Sequence, residues 1–370
     1  MVNGHWYRLH DTTQISSPSL LVHPDSIENN IRKMIAMSGD VSRLRPHIKT
    51  HKTAEIIQMQ MRHGIQKFKC ATIAEAELLG QCGAEDILLA MQPVGFNIDR
   101  FFMLTEAYPR SRFSTLIDNP KTLIEIADKA SEKKTRVSLW MDLNNGMDRT
   151  GIVPDDKAVT LFKLMESLPH IDVKGLHVYD GHIRNPDLED REKAVDTAFE
   201  AVLKLKETIG HQGTAVKNII AGGSPTFPIH AQKTNVELSP GTTLLWDAKY
   251  DALFPDMNIE VAAVLLTRII SKPAPQILCF DLGHKSIAPE MDFPRVQLLG
   301  LEDAEQIGQS EEHLVVRSKR ADTFEVGDVF YAIPMHICPT VAKYETLLTV
   351  EDWAVTGSWK VAARNQKITI

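Results

Sequence analysis

The chain has 370 residues and 43% hydrophobic content, enough for a sizeable core in one large domain or two ordinary ones. A formal charge of -7, with no basic block long enough to follow a phosphate backbone, excludes nucleic acid as an expected partner. Cys70, Cys82, Cys279 and Cys338 lack paired spacing, and neither an apolar leader nor a bilayer-spanning stretch is evident. A reducing, cytoplasmic setting with no membrane partner is therefore expected.

In chain order, Ser19–His23 is a short apolar run after Ser17-Pro18, followed by a helical pattern at Ile27, Ile31, Met34 and Ile35. The same strand-then-helix alternation continues. The stretch ending near Lys49 precedes Ile56, Ile57 and Met59; Phe68–Thr72 precedes Ala74–Leu79; Asp86–Met91 precedes a helix around Asp99–Tyr108; and Phe113–Ile117 precedes Pro120–Lys129. Val137–Asp142, Gly175–Tyr179 and Asn218–Ala221 complete the series, with a long amphipathic helix over Glu189–Ile209. About eight such units in about 250 residues predict a (β/α)8 TIM-type barrel, preferred over a doubly wound sheet because polar residues gather after nearly every strand.

From about Ile259 the pattern becomes short alternating strands at Glu260–Arg268, Gln276–Asp281, His313–Arg317 and Val329–Ile333, which predicts a mainly β second domain. The expected division is a barrel over residues 18–250 and a β domain over 251–370, with residues 1–17 packing on the latter.

Arg45-Pro46-His47-Ile48-Lys49-Thr50-His51-Lys52 concentrates cationic and imidazole groups just before a helix. As an extended strand it puts Arg45, His47, Lys49 and His51 on one face. A solvated basic loop is the plain alternative. An anion site is the other, with Lys49 made easier to deprotonate by its cationic neighbours, as a lysine that bonds to a carbonyl requires.

Other strand ends carry further candidates. Gly222-Gly223-Ser224 offers backbone N–H groups and a hydroxyl to a phosphate, or is an ordinary turn, and Gly241-Thr242 is a second small-residue turn. His177, Tyr179 and Gly181 share a side by alternation; Tyr179 suits contact with an aromatic ligand, and His182 either reaches over it or is solvent-exposed. Arg149 lies between two glycines as an anion anchor or a solvated turn. His336 and Cys338 form a His-x-Cys pair suited to zinc, or are a buried cysteine beside an unrelated histidine. Ser310–His313 could add a further ligand, while Asp281–Lys285 reads as a charged turn.

Taken in order, RPHIKTHK, CATIAEAELL, DLNNGMDRTG, HVYDGH, GGSPTF, ELSPGTT, DLGHK, SEEH and PMHICPT resemble the D-threonine aldolase and D-serine dehydratase group of pyridoxal-phosphate enzymes. The resemblance runs from about Ser17 to Arg364 and implies an alanine-racemase-like barrel with a C-terminal β domain. It implies that Lys49 carries pyridoxal phosphate, with His47 beside it, and that Gly222, Gly223, Ser224, Gly241 and Thr242 hold the phosphate. Tyr179 would face the pyridine nitrogen, Arg149 would contact the ring oxygen or the substrate, and His182 would handle the substrate hydroxyl proton. His336 and Cys338 would bind a divalent metal, zinc or manganese.

The implied activity is retro-aldol cleavage of a D-3-hydroxy amino acid such as D-threonine to glycine and an aldehyde. The alternative is dehydration of D-serine or D-3-hydroxyaspartate to a keto acid and ammonia. The YDGH loop resembles the aldolases, whereas Cys338 stands where those carry a carboxylate and resembles the dehydratases. Thr243 also departs from the pattern, in which an aromatic residue is common there. A racemase is disfavoured for want of a second catalytic tyrosine motif, and a non-catalytic cofactor carrier would need neither the β domain nor the His-x-Cys pair. A homodimer is expected by resemblance.

Overall fold

The computed structural model describes residues 6–370. They fall into two units that interleave along the chain. One comprises the described part of Met1–Lys33 with Thr50–Ile56 and Thr242–Arg364; the other comprises Met34–Lys49, Ile57–Gly241 and Asn365–Ile370. Residues 1–5 of the segment expected to pack on the β domain lie outside the described residues.

Strand β1 (Ser19–Val22) belongs to the first unit. The next seven, β2 (Lys67–Cys70), β3 (Asp86–Leu89), β4 (Arg112–Ile117), β5 (Val137–Leu143), β6 (Ile171–Val178), β7 (Asn218–Ala221) and β8 (Val236–Leu238), form one parallel sheet in that order. The sheet closes through the segment Leu44–Ile48, which makes parallel bridges from Leu44 to Leu238 and from His47 to Lys69. The Arg45 and His47 amides donate to Leu238 and Pro240 on one edge, while Ile48 and Lys69 donate to Lys69 and Pro46 on the other. Pro46 lacks an N–H, so this eighth stave is held by bridges rather than a full ladder.

Ser19–Val22, expected as the first barrel stave, instead pairs antiparallel with β9 (Ala263–Ala274). Leu20, Leu21 and Val22 are all buried, and a run buried on both faces fits either sheet, so periodicity alone does not choose between them. The basic stretch takes its place as first stave, and the three-residue β8, too short to show a period, supplies the last.

Leu88, Leu116, Trp140 and Ile220, contributed by four staves, cluster as buried core, and the Trp140 indole donates to Ser114 Oγ at 3.2 Å. Gly175 permits a register shift between β5 and β6; at its φ of +145° a Cβ would lie 2.0 Å from the Asn218 carbonyl oxygen. The long helix runs Leu188–His211, capped by Asp187 and burying Val195, Phe199, Val202, Leu205 and Ile209 at helical spacing.

In the first unit, β1 also pairs parallel with the strand Thr346–Glu351. Tyr7, Leu9, Leu21, Val264, Leu266, Tyr331 and Val350 form its buried cluster. Among the described residues no helix is long and apolar enough to cross a membrane.

Arg45 is 1% exposed. Its Nη1 meets Asp86 at 2.6 Å and its Nε meets Glu237 at 2.7 Å, so one guanidinium ties the first stave to residues of β3 and β8. Burial alone would raise the Asp86 carboxyl, but Arg45 holds it below its ordinary value by charge and hydrogen bond. That contribution to stability is present above the unfolded pKa and is lost as pH falls through the folded one. Arg45→Ala removes the buried cation from Asp86 and leaves Glu237 with Lys67 alone, and is expected to cost about 3–5 kcal/mol, read as a lower urea midpoint. Arg45→Met combined with Glu237→Gln is expected to recover part of it.

Candidate active site

The chain leaves the first stave in a turn over Ile48–His51, which places the half-buried Lys49 at the C-terminal end of the barrel. The Lys49 amide donates to His47 Nδ1 at 3.2 Å. The expected four-base face is not formed. Arg45 is neutralised by carboxylates, and His51, the last residue of the turn, belongs to the other unit. There its Nδ1 meets Thr53, and burial, then Lys52, pushes its pKa down to about 3.

The cation that does accompany Lys49 is Lys69, on β2 and only 3% exposed. Its Nζ lies 3.4 Å from His177 Nε2 and 5.6 Å from the centre of the Tyr179 ring. His177 Nδ1 is 2.7 Å from Asp142 Oδ1, and both residues are buried. Burial first, then Lys49, pushes Lys69 down to about 7, against the pull of Asp142 and Asp180. Burial and then Lys69 lower His177, so its ring is neutral near pH 7. With Asp142 accepting at Nδ1, a neutral ring presents a lone pair at Nε2.

Tyr179 joins the next groups. The Arg149 guanidinium stacks 4.9 Å from its ring centre, and a Cβ on Gly223 would lie 3.2 Å from the ring edge. Asp142, Asn144, Arg149, Thr150 and Tyr179 bound a small cleft. His182 is exposed, and its Nε2 stands 3.2 Å from the place a Cβ on Gly146 would take.

Gly222 adopts φ +83°, where a Cβ would lie 2.9 Å from the Phe227 backbone. The Gly223 amide turns inward to Asp180 Oδ1 at 3.2 Å and Thr226 Oγ1 at 3.0 Å, so it serves the loop's own structure. Ser224 Oγ accepts from the Gly241 amide at 3.2 Å, and Gly241 lies against the His47 carbonyl. Beneath the loop, Asp180 also accepts from Thr226 Oγ1 at 2.8 Å and meets His230 Nε2 at 2.8 Å. Burial opposes ionisation of Asp180, but its donors hold the carboxyl below its usual range.

Sequence reasoning does not reach Lys69, Asp142, Asp180 or His230, and it reaches His177 only as a neighbour of Tyr179 on one strand face. For Asp142, Asp180 and His177 the available signal was position at a strand end. Lys69 lies inside a stretch read only as a strand, and His230 carried no signal. Two amines, a guanidinium, an aromatic ring and a glycine-serine turn at one barrel end suit a phosphorylated aromatic aldehyde.

The remaining predicted residues lie in the other unit. Thr50 Oγ1 and Thr242 Oγ1 sit 3.0 and 3.4 Å from Cys338 Sγ. His336 Nδ1 meets Glu290 at 2.5 Å. Burial would lower His336, but Cys338, Glu290 and Asp247 raise it above its ordinary value. Ser310–His313 does not contribute: Glu311 and Glu312 pair with Lys285 of the Asp281–Lys285 turn. Imidazole and sulfur match a zinc ion in softness. They are two donors only, and among the described residues no group of three or more His, Cys, Asp or Glu is placed to hold a metal.

A family model described as a putative serine dehydratase domain matches residues 262–350. A D-threonine aldolase of an Arthrobacter species is 26% identical over 358 residues, covering 95% of this chain and 93% of the relative. A 3-hydroxy-D-aspartate aldolase of Paracoccus denitrificans (strain Pd 1222) is 25% identical, covering 96% and 94%. The solved D-threonine aldolase from Filomicrobium marinum shares the fold at a TM-score of 0.86, with 22% identity and 95% of each chain covered. A model described as alanine racemase, N-terminal domain, matches residues 22–248. That span is well over half of the chain, which therefore belongs to this alanine racemase-like family, whose members use pyridoxal phosphate.

Proposed function

We propose that this chain is a pyridoxal-phosphate- and divalent-metal-dependent lyase that cleaves D-threonine-like 3-hydroxy amino acids to glycine and an aldehyde. The observation that carries the reading is the half-buried Lys49 at the end of the barrel-closing stave, in the same unit as Tyr179, Arg149 and the Gly222–Ser224 turn. Two relatives named as aldolases of D-3-hydroxy amino acids, aligned over nearly all of the chain, support the substrate class.

When bound, the cofactor supplies an electron sink for charge that develops beside the substrate nitrogen. Lys49 would anchor it, with Ser224 and the neighbouring glycine turn beside its phosphate and Tyr179, backed by Arg149, along its ring. His182 would accept the proton of the substrate β-hydroxyl at an imidazole nitrogen. His336 and Cys338 would hold the divalent ion, with Glu290 on Nδ1 fixing the imidazole tautomer and solvent completing the two-donor set. The ion would supply Lewis acidity.

The second reading is dehydration to a keto acid and ammonia. It is favoured by Cys338 and by the dehydratase-domain match over residues 262–350.

Incubation of the full chain with D-threonine, pyridoxal phosphate and Mn2+ is expected to release glycine and acetaldehyde in equal amounts. No aldehyde from any D-3-hydroxy amino acid removes the aldolase reading, while keto acid and ammonia lost with EDTA and restored by zinc establish the second. His182→Ala is expected to lower kcat about 10²–10⁴-fold.

Asp180→Asn is expected to loosen the glycine turn and raise the cofactor Kd about tenfold, or about 1.4 kcal/mol, measured by equilibrium dialysis. Because the Asp180 carboxyl is held low, its support is present above the unfolded pKa and is lost as pH falls through the folded one.

A further inference from the structure

Asn365–Ile370 belongs to the barrel unit, although the residues before it, Thr242–Arg364, belong to the other. Charged side chains of the barrel hold it. Glu77, on the helix Ile73–Gln81, is fully buried. Its carboxylate accepts from the Thr369 amide, 3.1 Å from each oxygen, from the Ile370 amide at 3.2 Å and from the Thr369 hydroxyl. Those donors satisfy a charged group that is costly to bury without them. Arg100, on the helix Phe96–Ala107, donates to the carbonyl oxygens of Gln366 at 3.1 Å and Ile370 at 2.7 Å.

The segment thus bridges the helices that follow β2 and β3. Gln366 and Arg100 also border a cavity of about 100 Å³, whose other walls include Ala71, Leu89 and Met91 at the ends of those two strands. We propose that Asn365–Ile370 is a releasable strap. Docked, it shuts this cavity and braces the ends of β2 and β3; released, it opens the cavity and loosens the stave that ends in Lys49.

Release is local. Residues 365–367 and Thr369 are exposed, and a segment held by a few hydrogen bonds at the surface opens at small cost. The effect reaches further along the backbone. Glu75, in the same helix as Glu77, accepts from the Ala71 amide at 2.6 Å and so ties that helix to the end of β2. Lys69 of β2 in turn exchanges hydrogen bonds with Pro46 and Ile48 of the first stave. A ligand held by Lys49 favours the docked state, and by linkage docking tightens the hold on that ligand. This coupling rests on reading Lys49 as the cofactor-bearing lysine; the strap itself does not.

The test is hydrogen exchange resolved to single residues in the full chain. Thr369→Glu sets a like charge against Glu77, and Glu77→Gln removes the repulsion. In Thr369→Glu the amides of Ala71, Ala90 and Ile98, which donate to Glu75, Cys70 and Gly95, are expected to exchange about tenfold faster. Amides of β5 and β6 are expected to keep their wild-type rates, and adding Glu77→Gln to restore the other three. Pyridoxal phosphate, followed by the absorbance of its lysine adduct on dilution, is expected to leave Thr369→Glu about tenfold faster, with the same restoration.

Wild-type exchange at Ala71, Ala90 and Ile98 in Thr369→Glu overturns the strap, as does acceleration throughout the barrel or no restoration by Glu77→Gln. Faster exchange with unchanged cofactor release overturns the coupling to Lys49. Should Thr369→Glu not fold, the wild type decides: Thr369 and Ile370 amides that exchange more slowly than those of Ala71 and Ile98 overturn the inference, because the cavity walls then open without the strap. No lysine adduct in wild type overturns the proposed function instead, and hydrogen exchange still decides the strap.

Discussion

The barrel depends on the seating of one buried guanidinium. Arg45 is surrounded by carboxylates and lies 5.8 Å from the centre of the Trp140 ring, so the stave that carries it has one register. A slip by one residue would turn the side chain to the other face and take the buried cation away from Asp86 and Glu237. With Arg45 fixed, His47 and Ile48 make the last edge bonds, and the turn that follows delivers Lys49 to the C-terminal end. Strand closure and lysine placement are thus one event.

The same bookkeeping of charge decides which neighbours matter to that lysine. Four bases in alternate positions suggest mutual repulsion, but proximity in sequence is not proximity of uncompensated charge. Arg45 spends its charge on Asp86 and Glu237, and His51 is buried and neutral at the end of the turn. Lys69, distant in sequence, keeps its amine against an imidazole and a ring. Coulomb interactions in a poorly hydrated interior reward the nearest unpaired partner, and that partner is set by strand pairing.

The alternation of strands and helices made the barrel legible, because each stave must be apolar and each helix amphipathic to bury it. The two ends of the barrel were harder to read. Ser19–Val22 is apolar enough for either sheet, the Pro46 stave looks unlike a strand, and Val236–Leu238 is too short for a period. At the site, residues in glycine-bearing loops such as Arg149, Tyr179 and Gly222–Ser224 announced themselves, since such loops follow strand ends. Lys69 and His230 did not, because a polar side chain inside an apolar element becomes meaningful only when its partner across the fold is known. Glu290, which meets His336, was hidden for the same reason: no spacing links it to the His-x-Cys pair.

Keeping Lys69 buried has a thermodynamic consequence. Its folded pKa of about 7 lies well below the value of an unfolded lysine, so between those values the unfolded chain binds more protons than the folded one. Stability from this group therefore rises with pH over that window and is sacrificed near neutrality. A fold seeking stability alone would place an apolar side chain at this position in β2. The retained amine makes sense where an anion is to be received, because a ligand that binds only the folded chain offsets the penalty by mass action. An amine retained in the buried interior of β2 is thus least costly to the fold when an anion lies near it.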